Sequence, residues 1–254
     1  MPYAIRMSDN RARTSRSGES FVFDWEHTDW VSECCGRPGY QTVFSDQFAR
    51  RVARSYRKRG LDRTQRRLVS FLTDRGINNA SVLEIGGGVG EIQIELLTRG
   101  ARKATNLEIS RNYEAEAAAL LQGSGLADRI ERQFVDIAAS PDVVEPADIV
   151  VLHRVVCCYP DYERLISAAA SHTKRLLVFS YPHRNVFTRM IMRCENLLHR
   201  LRRSDFRAFV HPPAAMIKTA QAAGLSPTYR HRGLAWNIAG LERVSRSDRL
   251  PDSA

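Results

Sequence analysis

Five residues pose the chemical question in this chain: Glu84, Gly86, Gly88, Gly90 and, further on, Glu108. Val82, Leu83 and Ile85 read as a buried strand that breaks into Gly86-Gly87-Gly88-Val89-Gly90, with Glu84 two residues ahead of the first glycine. A helix from Glu91 to Arg99 follows. Glycine at such a turn lets main chain pass close to a ligand where a Cβ would collide. A phosphate-gripping NTPase loop must end in Gly-Lys-Ser/Thr; this one ends Val89-Gly90-Glu91. A dinucleotide fingerprint needs Gly-x-Gly-x-x-Gly/Ala, with pyrophosphate on the helix N-terminus. The third glycine slot here holds Glu91 or Gln93, depending on the starting glycine, and Glu91 would set a carboxylate beside the phosphates. The loop fits a nucleoside-like ligand without phosphate; the plainer alternative is a structural tight turn.

Two downstream acids strengthen the ligand reading. Lys103 to Ile109 reads as a second strand with Glu108 near its end. An acid about 20 residues past such glycines accepts hydrogen bonds from ribose hydroxyls, for which a carboxylate offers only acceptors. Arg129 to Ile137 reads as a third strand ending Val135-Asp136-Ile137. The pattern Glu-x-Gly-x-Gly-x-Gly resembles motif I of the class I S-adenosylmethionine-dependent methyltransferases. That resemblance implies S-adenosyl-L-methionine as cofactor, with Glu84, Gly86, Gly88, Gly90 and Glu108 around it. It also implies that Asp136 takes the adenine amino group and Ile137 covers the ring. An Asp capping the next helix is the other use of position 136.

The elements that must position these residues alternate. Strands are expected near Ser81–Ile85, Lys103–Ile109, Arg129–Ile137, Asp148–His153 and Arg175–Tyr181, with helices near Glu91–Arg99, Arg111–Gln122 and Asp161–His172. This implies an α/β fold with a doubly wound parallel sheet. Leu225 to Arg232 and Leu234 to Val244 read as a closing antiparallel pair around Gly233, which completes seven mainly parallel strands in the methyltransferase resemblance. Ligands bind such sheets beyond the strand C-termini, so Gly86–Gly90, Glu108, Asp136, His153 and Tyr181–His183 share one rim.

Around this core, residues 1–20 read as a mobile polar tail and 21–75 as an arm packed on the domain. The domain itself covers 76–246, with a helical insertion or lid at 184–210, and 247–254 form a second tail. Within the arm, Phe21 to Tyr40 reads as irregular, broken by Gly36, Pro38 and Gly39. Ser45 to Arg59 reads as a helix with Phe48, Val52 and Tyr56 on one stripe, stopped by Gly60, and Leu61 to Arg75 as another. In the insertion, Val186, Met190, Ile191, Leu197, Leu198 and Leu201 recur at helical spacing among Arg189, Arg193, Arg200, Arg202 and Arg203. An ordinary amphipathic helix packing that stripe on the domain is expected; a lid, or a basic helix on a membrane surface, are the sharper readings.

The chain has 254 residues and a formal net charge of +10, enough length for one decorated α/β domain. No apolar run reaches the length that spans a bilayer, and the polar start lacks the apolar centre of a secretion signal; a cytoplasmic protein is expected. Cys34, Cys35, Cys157, Cys158 and Cys194 make no Cys-x-x-Cys, so neither a zinc site nor a redox pair is signalled. The basic stretch Arg50 to Arg67 could grip nucleic-acid phosphates, but no stacking aromatics interleave there. A solvated helix face near acidic substrate groups is preferred, and nucleic acid is not expected as partner.

Methyl transfer from a sulfonium is an in-line displacement, in which alignment supplies about 7–11 kcal/mol and a base ~10²–10⁴ in rate for a hydroxyl nucleophile. His153, ending the fourth strand, is the first candidate for polar contact with cofactor or substrate. The stretch His153-Arg154-Val155-Val156-Cys157-Cys158-Tyr159-Pro160 resembles the segment after strand four of the magnesium-protoporphyrin O-methyltransferases. That resemblance runs from about Tyr40 to Leu225. It implies catalytic roles for Tyr56 and for His211, in Phe206-Arg207-Ala208-Phe209-Val210-His211. Cys158 stands where that family has a histidine, so the reaction class carries over further than the substrate. The expected function is methylation of a small-molecule acceptor, at a carboxylate or hydroxyl oxygen. The alternatives are a nucleic-acid methyltransferase, disfavoured because His153-Arg154-Val155-Val156 replaces the Asn/Asp-Pro-Pro-Tyr/Phe of adenine-methylating enzymes, and a non-catalytic cofactor-binding regulator.

Overall fold

Burial on both faces dictates the centre of the molecule. In the computed structural model, which describes residues 38–243, every residue of β1 (Ser81–Ile85) is buried. β4 (Ala147–Leu152) is buried at all positions but Asp148. Such strands belong inside a parallel sheet covered by helices on both sides. The sheet has seven strands in the order β3-β2-β1-β4-β5-β7-β6. β2 is Lys103–Glu108, β3 Ile130–Phe134, β5 Thr173–Pro182, β6 Leu225–Arg232 and β7 Trp236–Arg243. β3, β2, β1, β4 and β5 run parallel, β7 lies antiparallel to β5, and β6 antiparallel to β7. The doubly wound sheet expected from the sequence, with its closing antiparallel pair, is what the chain forms.

Alternating strand residues sort into two cores. Leu83, Ile85, Val150, Leu152, Leu177 and Phe179 pack against α6 (Tyr162–Ser171) and α8 (Pro213–Ala222). Val82, Ile149, Val151, Leu176 and Val178 pack on the other face, against α3 (Arg63–Thr73) and α4 (Glu91–Thr98). α2 (Asp46–Arg59) starts at Ser45, whose hydroxyl accepts from the Phe48 N–H. α3 starts at a capping box in which Asp62 and Gln65 exchange hydrogen bonds. α2 then packs Ala49 and Ala53 beside Val89, Ile94, Tyr113 and α5 (Glu114–Ser124). The arginines of 50–67 lie on exposed faces, as a solvated stripe requires.

Four sequence expectations change. The irregular stretch read as far as Tyr40 instead begins a helix, α1 (Pro38–Val43). Proline is tolerated in a first turn, where its missing N–H has no helical partner anyway. The aromatics Phe21, Phe23, Trp25 and Trp30, with Cys34 and Cys35, lie outside the described residues. β3 ends at Phe134, short of Asp136, because Asp136 turns the chain: its carboxylate accepts from the Ala138 N–H, and its carbonyl from Ala139 and Ser140. The helix expected from Arg111 starts with a 3₁₀ turn, Arg111–Tyr113, before α5. The fourth change concerns α7 (Val186–Leu201), which buries none of its residues. Its apolar stripe, expected to pack on the domain, faces outward. Among the described residues no helix is long and apolar enough to cross a membrane.

Candidate active site

The glycine turn lies at the carboxyl end of β1, beside the end of β2. Gly86 and Gly88 have φ of +64° and +54°, a region that favours glycine. A Cβ on Gly86 would lie 2.5 Å from Val155 Cγ2, whereas one on Gly88 would meet only the Tyr113 ring, at 3.4 Å. Gly88 therefore offers bare main chain to the space in front of it. That space is a cavity of about 180 Å³ lined by Glu84, Gly86–Gly88, Glu91, Glu108, Ile109, Tyr113, His153, Arg154 and Val155, among others. Tyr40 from α1 and Phe44, Phe48 and Val52 from the α1–α2 segment roof it, and Cys158 and Tyr159 close a side.

Glu108 holds the turn in place. Oε2 accepts from the Gly88 N–H at 2.9 Å, and Oε1 from Ile109 and Ser110 at 2.8 and 3.1 Å. Arg132 braces the other side: its guanidinium donates to the Gly88 carbonyl at 2.9 Å and pairs with Glu114 at 2.6 Å. Glu84 stands opposite Asn106 in the sheet, 2% exposed, and its Oε2 has no partner among the described residues. Burial, with Glu91 close by, pushes the Glu84 carboxyl well above the ordinary range. Burial also raises Glu91, which accepts from Gln65 Nε2 at 2.7 Å, and raises Glu108 despite its three amide donors.

His153 lines the same cavity. Its Nδ1 meets Ser180 Oγ at 3.1 Å, and Ser180 Oγ also accepts from the Arg154 N–H. Its Nε2 is buried without a partner among the described residues. Burial, with the Arg154 charge beside it, pushes the ring down to about 3, so the imidazole is neutral across the physiological range. Arg154 itself bonds Asp62 at 2.7 Å and lies over the Trp236 ring.

Other expected residues fall behind the wall rather than on it. Tyr56 shares a helix stripe with Phe48 and Val52, but its hydroxyl donates to Glu95 Oε1 at 3.2 Å, one turn beyond the cavity lining. Burial and the Glu95 charge raise that phenol. Asp136 is 3% exposed, and its carboxylate receives the Tyr159 hydroxyl at 3.0 Å. Ile137, 1% exposed, belongs to the core between sheet and α6. Neither lines the cavity, although Tyr159 does. His211 donates from Nε2 to the Tyr159 carbonyl at 2.9 Å and stacks on Phe209; burial lowers its pKa. His183 likewise serves a turn, with Nε2 2.6 Å from the Gly233 carbonyl. Sequence reasoning missed Tyr113, Ile109, Val155 and the Tyr40–Phe44 roof. Only Ile109, next to Glu108, carried a positional signal.

The donor set selects a cation. Among the described residues three carboxylates line the cavity, against one guanidinium that is already paired with Asp62. A phosphorylated nucleotide would be repelled, whereas a sulfonium and an ammonium suit the unpaired Glu84 oxygen. A seven-stranded sheet in this order, with this turn at β1 and an acid closing β2, defines a Rossmann-like S-adenosylmethionine-dependent methyltransferase. Residues 49–229 match a methyltransferase domain family. The chain belongs to that family.

Solved structures carry the same fold. A magnesium protoporphyrin IX methyltransferase from Synechocystis, with S-adenosylhomocysteine bound, is 20% identical at a TM-score of 0.61, covering 80% of this chain and 100% of its own. An O-methyltransferase family protein from Burkholderia thailandensis is 17% identical at a TM-score of 0.60, covering 80% of this chain and 64% of its own. The [4+2]-cyclase SpnF is 14% identical at 0.53, covering 70% and 80%. A comparison with curated proteins finds no match.

One test of the cofactor site follows from Glu84. A carboxyl whose pKa is raised takes up its proton at higher pH than an exposed one, and the protonated form attracts a cation less. Affinity for S-adenosylmethionine is expected to fall as pH is lowered through that raised value. Glu84→Gln should weaken binding about 10–100-fold, the worth of a charge-assisted hydrogen bond at ~1.5–3 kcal/mol, and flatten the pH dependence. Calorimetric titration between pH 5.5 and 8 measures both; a variant that tracks wild type would remove Glu84 from the site.

Proposed function

We propose that the enzyme methylates an oxygen of a small-molecule acceptor, with a carboxylate favoured over a hydroxyl. The observation that carries this reading is His153. Among the described residues it is the only histidine lining the cavity, and at a pKa of about 3 it is mismatched to general-base work near neutrality. A carboxylate acceptor is already ionised and needs no base. A hydroxyl would need one, which favours acids over alcohols.

S-adenosylmethionine supplies an electrophilic methyl group when bound. Glu84 and Glu91 would hold its cationic end, main chain at Gly86–Gly88 would lie against it, and Glu108 fixes that main chain while keeping acceptor capacity toward the sugar. Ile109 and Tyr113 offer apolar surface for its ring. The chain's remaining work is orientation and exclusion of water. Tyr40, Phe44, Phe48 and Val52 form an apolar roof suited to a flat, bulky acceptor, and His153 Nε2 provides a polar contact at the wall. The Synechocystis neighbour is named for magnesium protoporphyrin IX, which supports testing porphyrins and other large aromatic acids first.

The experiment is transfer of a labelled methyl group to porphyrin carboxylates, phenolic acids, simple alcohols and RNA. At saturating S-adenosylmethionine, acids should be methylated with a kcat/KM for the acceptor nearly flat from pH 6 to 8, because neither His153 nor the acceptor titrates there. Transfer confined to alcohols or nucleic acid, or a steep rise across that range, would overturn the reading.

A further inference from the structure

α7 is built inside out. At 100° per residue, Val186, Phe187, Met190, Ile191, Cys194, Leu197, Leu198 and Leu201 fall within an arc of about 140°, and every one is exposed. Val186 is 83% exposed and Leu201 72%. The partly covered positions are Thr188, Met192, Asn196 and His199, which form the opposite stripe. Two contacts fix that polar stripe to the domain. Asn196 exchanges two hydrogen bonds with Ala208, through Nδ2 and Oδ1, at 2.8 and 2.7 Å, and His199 stands edge-on to Phe206 at 5.0 Å. Met192 packs beside Tyr40, Phe206 and Cys158. The outward direction of the apolar stripe is therefore held by specific bonds rather than left to chance.

A contiguous apolar helix face in water is unfavourable unless something covers it. Its rim identifies the cover. Segment 184–203 carries Arg184, Arg189, Arg193, Arg200, Arg202 and Arg203 against one acid, Glu195. Arg189, Arg193 and Arg200 border one side of the stripe. The β6–β7 turn reaches the start of this segment through the bond from His183 to Gly233, and there Leu234 is 90% exposed. Leu234 also edges a cleft lined by Arg63, Arg66, Arg67, His231 and Arg232. A second copy of the chain would set arginine rim against arginine rim. An apolar stripe framed by cations instead matches a surface with an apolar interior and anionic headgroups.

We infer that α7, with the Leu234 turn, seats the enzyme on an anionic lipid bilayer. The helix lies flat between domain and membrane. At 16 residues it is too short to span one, for which about 20 are needed. The roof that bounds the cavity adjoins it, since Tyr40 contacts Phe206 and Cys158. A hydrophobic acceptor dissolved in the bilayer would then enter beside α7. The seating itself does not depend on the acceptor assigned above.

The test is co-sedimentation of the full chain with vesicles of phosphatidylcholine alone or with phosphatidylglycerol, at low and high salt. Binding is expected to phosphatidylglycerol vesicles and to weaken with salt. Phe187→Glu with Leu197→Glu should lower it at least ~10-fold, because two large apolar contacts are lost. Arg189→Glu with Arg193→Glu should lower it about 10-fold or more on anionic vesicles. Both variants alter exposed positions, so calorimetric affinity for S-adenosylmethionine should be unchanged. That readout separates failure of the seating from failure of the enzyme reading. Absence of vesicle binding overturns the inference, as does binding indifferent to both variants. A dimer detected by light scattering and broken by Leu197→Glu, without vesicle binding, would assign the face to a second copy and also overturn it.

Discussion

Gly88→Val is expected to leave a folded protein that no longer takes up S-adenosylmethionine. The position has φ of +54°, where a branched side chain is strained by roughly 1–2 kcal/mol. The strain alone leaves a domain of this size folded, and the Tyr113 ring 3.4 Å from the new Cβ sits at ordinary contact distance. The two added methyls, however, enter the cavity in front of the turn. Displacing a ligand from its main-chain contact by a carbon's width should cost at least ~3 kcal/mol, or roughly a hundredfold in Kd. Circular dichroism should match wild type while calorimetry shows the loss. Gly88→Ala should fall between the two. Equal affinity across the three proteins would make the turn structural and remove Gly88 from the cofactor site.

Glu108 should give the largest stability effect. Its carboxylate is the hydrogen-bond partner of three backbone N–H groups, those of Gly88, Ile109 and Ser110. Glu108→Ala leaves them together at a buried site, where each unsatisfied donor costs about 1–3 kcal/mol. Some regain partners by relaxation, so a net loss of about 3–5 kcal/mol is expected, near the upper end for single substitutions. In a chain of this length that lowers Tm by roughly 10 °C. Glu108→Gln keeps one oxygen but turns an NH₂ toward a backbone donor, and should lose about half as much. Cofactor affinity should fall in both variants because the turn is no longer held. A thermal midpoint within 1–2 °C of wild type for the alanine variant would show that the carboxylate does not carry the turn.

The glycine turn and the acids around it were legible because the constraint is local. A strand buried on both faces, an abrupt run of glycines and an acid at fixed distance leave few geometries. The parallel sheet followed from alternation. The aromatic roof was not legible, since Pro38 and Gly39 signal a break in the chain yet sit in the first turn of α1. Periodicity placed Phe48, Val52 and Tyr56 on one stripe but could not say where along it the cavity ends. It ends before Tyr56, whose hydroxyl turns to Glu95. Asp136 shows a different ambiguity: an aspartate after a strand serves a ligand or its own turn, and here its bonds go to Ala138 and Tyr159. For α7, spacing revealed the stripe but not its direction, which Asn196 and His199 decide through partners far from it in sequence.

The roof has a consequence for speed. Ligand pockets usually measure about 300–1,000 Å³, and the space beneath Tyr40, Phe44 and Phe48 measures about 180 Å³. A molecule as large as an adenosylated amino acid needs more room than this, so its binding is expected to displace part of the α1–α2 roof. The chain has a pivot for such a movement at Gly60, whose φ is +66° and around which a Cβ would meet nothing. Release of the spent, demethylated cofactor is then expected to limit turnover, and a kcat that falls with solvent viscosity would show it.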